Sequence, residues 1–66
     1  MRKYQVRDIS AFGYKGKFDV IYHDDDNHNT YFSTKMYNSH AEALAVADEL
    51  ENGKLDHLAI GWKLNT

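Results

Sequence analysis

The 66-residue chain contains neither cysteine nor proline. Without cysteine it has no disulfide framework and no thiolate zinc site, the staples on which small domains most often rely. Cysteine-free composition suits a reducing compartment, and the expected location is the cytoplasm. No apolar run approaches the roughly 20 residues of a membrane-spanning helix. The basic start Met1-Arg2-Lys3 continues as Tyr4-Gln5-Val6-Arg7 and not as the apolar core of a signal peptide. The expectation is a soluble, unprocessed protein with no membrane partner. A strongly basic balance, the electrostatic footprint of nucleic-acid binding, is also missing, because the net charge is −2.

A chain this short forms one domain, residues 1–66, and buries only roughly 60% of the surface exposed by the unfolded chain. Its charge is unevenly laid out. Residues 1–23 carry a local excess of positive charge from Arg2, Lys3, Arg7, Lys15 and Lys17, whereas Asp24-Asp25-Asp26 and Asp48, Glu49 and Glu51 make the rest acidic.

One helix is written into the sequence with both its ends. Ser39 can cap the first turn and Glu42 can reach back to the Ser39 amide, as in a capping box. Ala43, Val46, Ala47 and Leu50 then form an apolar stripe at helical spacing. Gly53 stops the helix in a left-handed conformation. Asp48, Glu49 and Glu51 in the last turn oppose the helix dipole and could face a partner or simply solvent.

The remaining segments alternate as strands. Tyr4 to Ser10 loses its phase near Asp8, which predicts a bulge or an early end there. Gly13-Tyr14-Lys15-Gly16 is a turn. Lys17 to His23 puts Phe18, Val20 and Tyr22 on the core face, with Asp19, Ile21 and His23 opposite. After the Asx-rich loop 24–29, Thr30 to Tyr37 is read with Phe32, Thr34 and Met36 inward and Tyr31, Ser33, Lys35 and Tyr37 outward. Leu58 to Leu64 is read as the cleanest strand, with Leu58, Ile60, Trp62 and Leu64 inward, and with Trp62 under the helix among Phe18, Val20, Phe32, Ile60 and Leu50. The order βββαβ predicts a two-layer α+β domain, one helix packed on a four-stranded, mostly antiparallel sheet. A right-handed crossover would set the last strand parallel to the first, in the order 4-1-2-3.

Metal and catalytic readings do not survive inspection. Asp24, Asp26 and His28 alternate like the first ligands of a calcium loop, but the sixth position is Asn29 and the twelfth Lys35, where glycine and glutamate are required. His23, His28, His40 and His57 lack the local spacing of a zinc site. There is no cysteine nucleophile and no glycine-rich phosphate loop, and Ser39 is spent as a cap. No catalytic residue, metal or cofactor is therefore expected.

The sheet face opposite the helix carries the candidate site. On the strand reading, Ile21, Tyr31 and Tyr37 lie there with His23, Lys35, Lys63 and Arg7, and Asp24-Asp25-Asp26 stand at its end. Tyrosine and arginine are enriched where proteins bind proteins. Aromatic and basic side chains interleaved on a sheet also suit single-stranded nucleic acid, and exposed tyrosines can equally reflect β propensity alone. A second copy of the chain is the remaining alternative, through the same face or a sheet edge. Gly61, outward in mid-strand, leaves bare backbone for a ligand or second chain, or marks a bulge.

The segment Glu42-Ala43-Leu44-Ala45-Val46-Ala47, preceded by strands and followed by one more, resembles small phage-encoded inhibitors of host proteins, among them inhibitors of host RNA polymerase. The resemblance covers the helix and the order of elements. It implies a protein-binding modulator of a host factor, acting in the host cytoplasm. The arginines with which such inhibitors grip their target, on the strand after the helix, have no counterpart beyond Lys63, so no binding residue is carried over.

Overall fold

The computed structural model describes residues 2–65. Its elements follow in the order β1 (Tyr4–Asp8), a 3₁₀ turn (Ser10–Phe12), β2 (Phe18–Asp24), β3 (Asn29–Ser33), α1 (His40–Glu51), a second 3₁₀ turn (His57–Ala59) and β4 (Trp62–Leu64). One helix packs on a four-stranded antiparallel sheet, which makes the fold α+β.

β1 ends early, as its lost phase predicts. Asp8 Oδ1 accepts the Ser10 amide at 2.9 Å and turns the chain into the 3₁₀ segment, whose far end is closed by Gly13 at φ 91°. In the next connection four residues join β2 to β3. Asp24 accepts the Asp26 amide, Asn27 accepts the Asn29 amide, and His28 takes a φ of 60°. These Asx contacts set Asp24 opposite Asn29 and hence Tyr22 opposite Tyr31.

That register corrects the reading of the third strand. Tyr31 and Ser33 stand on the helix side with Tyr22 and Val20, whereas Phe32, opposite Ile21, faces the other way. Apolar residues occupy both phases of Tyr31 to Tyr37, so alternation alone could not choose the face, and a slip of one residue exchanges the two sets. The strand is also shorter than expected. It stops at Ser33, and the chain loops out before Tyr37 returns to bridge Phe18. Buried Ser33 fills the gap, its Oγ accepting the Val20 amide at 3.1 Å and donating to the Lys35 carbonyl at 2.9 Å.

α1 begins where expected, with Ser39 Oγ accepting the Glu42 amide at 3.1 Å. The Glu42 carboxylate reaches back one residue further than expected, to the Asn38 amide at 3.2 Å. At the other end Gly53 at φ 73° donates to the Leu50 carbonyl and Lys54 to that of Glu49, the two bonds of a Schellman ending. The acidic last turn has an intramolecular purpose. Asp48 pairs with Arg2 at 2.6 Å, and Glu51 Oε1 accepts the Tyr4 amide at 2.5 Å.

Those contacts bring the end of α1 to the start of β1 and use an edge amide there. β4 adds to the opposite edge, antiparallel to β3, so the strand order is β1-β2-β3-β4 and not 4-1-2-3. The chain returns to β3 through the second 3₁₀ turn, which packs His57 against Tyr4, Tyr22 and Trp62 beside the helix. Leu58 lies in this turn, 83% exposed, and Leu64 is exposed as well. The expected run of four inward residues therefore holds only in part, at Ile60 and Trp62. Gly61 precedes β4 and is not in mid-strand, and the space beside it is taken by Thr34, whose Oγ1 a Cβ there would meet at 2.6 Å.

Tyr4, Val20, Tyr22, Tyr37, Ala43, Ala47 and Leu50 form the core. The stripe read from the sequence faces it, with Ala43 and Ala47 fully buried. Trp62 is half-buried on the helix side, stacked on His57 at 5.1 Å with its Nε1 donating to the His57 carbonyl. It packs beside the helix and not under it, and Phe32 is on the other face.

Candidate functional site

Among the described residues no second α-helix covers the face of the sheet opposite α1. The register places Gln5, Ile21, Phe32 and Lys63 in one row across all four strands. Arg7 and Asp19 form the next row toward the 3₁₀ turn, and His23 and Thr30 lie on the other side. A shallow depression flanks the central row at each end.

The first depression, of about 530 Å³, lies between Arg2 and Lys3 on one side and the 24–26 loop on the other. Ile21 and His23 line it together with Asp24, Asp25 and Asp26, so these expected site residues do come together. Their polar groups are largely engaged locally. His23 Nδ1 is 3.1 Å from Thr30 Oγ1, its Nε2 is 3.8 Å from Asp25, and Asp24 holds the Asp26 amide. Among the described residues no group of three His, Cys, Asp or Glu side chains could hold a metal ion.

The second depression, of about 310 Å³, is built differently. Arg7 donates from Nε and Nη2 to the two oxygens of Asp19, at 3.1 and 2.7 Å. Its guanidinium carbon lies 5.1 Å from the Phe12 ring centre and 5.4 Å from that of Phe32, within cation–π range of both. The 3₁₀ turn is what brings Phe12 there. Because β1 ends at Asp8, the chain folds over this end of the sheet, burying Ile9 and leaving only 3% of the Asp19 side chain exposed. Around the paired ions Phe12, Tyr14 and Met36 are 63%, 50% and 43% exposed, and all three line the depression with Phe32 and Lys63. Most of the large exposed apolar side chains among the described residues thus converge on one spot.

Three of the expected site residues lie elsewhere. Tyr37 is buried in the core, and Lys35 extends its Nζ over the Tyr37 ring at 5.4 Å. Tyr31 is on the helix side, stacked on Tyr22 at 5.1 Å, with its hydroxyl accepting from Asn27. For Tyr31 the cause is the inverted face of the third strand; Lys35 and Tyr37 lie beyond its end at Ser33, where the chain loops out before Tyr37 bridges Phe18. The inverted face and the early end of the strand put Phe32 and Met36, both read as inward, on the open side; Tyr14 belongs to the 13–16 turn of the sequence reading, and Phe12 to none of its elements. Their signal was two aromatic rings on either side of Gly13 in a segment with no strand partner to cover them.

Comparison with protein-family models, with curated proteins and with solved structures finds no match. The arrangement on the open face therefore carries the functional reading.

Proposed function

We propose that this chain is a small protein-binding module that acts by occluding a surface of its partner, as phage-encoded inhibitors or modulators of host proteins do, and not by catalysis. What supports this is the convergence of Phe12, Tyr14, Met36 and Phe32 around the Arg7–Asp19 pair on the open face. Aromatic, methionine and arginine side chains are the types enriched at protein interfaces, and hot spots are most often built from aromatics and arginine. Exposing such a cluster costs solubility, and the cost is recovered when a partner covers it. The chain has no cysteine nucleophile, and both depressions on this face are open to solvent, unlike a pocket that excludes water.

The test is capture from a bacterial lysate with the full chain immobilised, followed by cross-linking and identification of the bound protein. Wild type is compared with Phe12→Ala/Met36→Ala, which alters the open face, and with Glu49→Ala, on the exposed side of the helix. One protein held by wild type and Glu49→Ala and lost from the double variant is the expected result. Retention that ignores the double variant but fails with Glu49→Ala would place the interface on the helix instead, and no protein above background would end the reading.

A further inference from the structure

We propose that the depression between Phe12, Phe32 and Lys63 docks an acidic protein segment, in which an apolar or aromatic anchor is flanked by aspartate or glutamate. The inference rests on the protein-binding reading and names the chemistry of the partner.

Charge is segregated on this molecule in a way that selects the partner. The lining of the depression includes two cations, Arg7 and Lys63, and a single carboxylate, Asp19. Both Asp19 oxygens are taken by Arg7 and its side chain is almost wholly buried, so the two form a neutral pair and Lys63 is the uncompensated charge of the lining. The turn that carries Phe12 and Tyr14 adds Lys15, exposed beside them. Of the other carboxylates, Asp8 is the nearest in the chain, but it holds the Ser10 amide and does not line the depression; Asp24, Asp25 and Asp26 line the other depression, Glu42, Asp48, Glu49 and Glu51 are on the helix, and Asp56 caps the second 3₁₀ turn. An acidic segment meets uncompensated positive charge here, whereas a basic one meets repulsion.

Arg7 itself is prepared for a second carboxylate. Nε and Nη2 are fixed on Asp19, and Nη1 makes no hydrogen bond among the described residues. The planar fork is already fixed on Asp19 and lies near the Phe12 and Phe32 rings, so little rotamer entropy remains to be lost when Nη1 donates to a partner. A depression of about 310 Å³ is at the small end of ligand pockets, which suits one anchoring side chain. Single-stranded nucleic acid fits less well. The tyrosines that would stack bases are occupied inside the fold, Tyr37 in the core and Tyr31 against Tyr22, and two cations offer little to a run of phosphates.

The experiment is an NMR titration of the full ¹⁵N-labelled chain with three probes. They are a peptide of leucine and phenylalanine interspersed with aspartate and glutamate, its counterpart with lysine in place of every acid, and an oligothymidine. The acidic peptide is expected to shift the amides of Phe12, Phe32, Thr34 and Lys63, with an affinity that falls as salt rises. Lys63→Glu and Phe12→Ala, both at exposed positions, should each weaken it by about tenfold. Equal or tighter binding of the lysine peptide, or binding of oligothymidine at lower concentration, would overturn the proposal. So would acid-peptide shifts that depend on chain concentration and map to the helix, which would indicate a second copy as the occupant. If lysate capture succeeds through the open face while the acidic peptide fails, only the partner chemistry is wrong; if capture also fails, the binding reading falls with it.

Discussion

Arg7 grips both oxygens of Asp19 on the one face of the sheet that α1 leaves bare, and the carboxylate is nevertheless almost wholly buried. The 3₁₀ turn closes over this end, so the ion pair organises Phe12 and Phe32 and cross-links β1 to β2 at once. A feature placed to hold a surface together is thus also part of what holds the domain together.

Asp19→Ala should cost about 3 kcal/mol, because it strands a largely buried guanidinium without its partner. That is comparable to the whole margin of a chain this short. The double change Arg7→Leu/Asp19→Leu should lose less than the single one, since apolar side chains can replace a buried pair at little cost. Urea denaturation monitored by circular dichroism decides it, and a single-variant loss below about 1 kcal/mol would show that the pair is structurally idle.

Ser33→Ala should destabilise by about 2 kcal/mol, since the hydroxyl satisfies the amide of fully buried Val20 and the Lys35 carbonyl where the β2 and β3 ladder opens. The matched control is Lys63→Glu, exposed on the open face, with an expected change within about 0.5 kcal/mol. Equal midpoints for the two variants would contradict the role given to Ser33.

Trp62→Ala should cost about 3 kcal/mol, the low end for a tryptophan because the ring is only half-buried. Trp62→Phe keeps a ring against His57 and Tyr22 but loses the Nε1 bond to the His57 carbonyl, which is worth about 1 kcal/mol. Thermal melts of the three proteins should fall in the order wild type, Phe, Ala. An alanine variant as stable as wild type would remove the second 3₁₀ turn from the folded core.

Burial holds the hydroxyls of Tyr4, Tyr22 and Tyr37 above their ordinary pKa of 10.0, with nearby Glu51 adding to the effect at Tyr4. In the unfolded chain these tyrosines ionise first, so above about pH 10 the native state keeps protons that the unfolded state has lost. Stability should be insensitive to them below that pH and fall as the pH rises toward their folded values. Tyr37→Phe should shallow the alkaline decline. Urea midpoints from pH 8 to about 11, followed with tyrosinate absorbance, test it, and equal slopes in the variant would count against Tyr37 as a contributor.

The sequence alone was sufficient for the features that depend on neighbours in the chain. The Ser39 cap, the Gly53 ending and the stripe Ala43, Val46, Ala47 and Leu50 are local, and so is the alternation of Phe18, Val20 and Tyr22 within one strand. Ile21, His23 and Lys63 were legible on the open face for the same reason. The third strand was not, because Tyr31 to Tyr37 offers an apolar side chain in both phases and the four-residue hairpin loop decides between them. Strand order also lay outside the local pattern, since it turns on Arg2 and Tyr4 meeting Asp48 and Glu51 more than forty positions away. The candidate site follows from both. Phe12, Phe32 and Met36 share a surface with Arg7 only after the register has turned Phe32 outward and the end of β1 has folded Phe12 over the sheet. Periodicity fixes which residues of one element share a face, and only packing between elements fixes which faces meet.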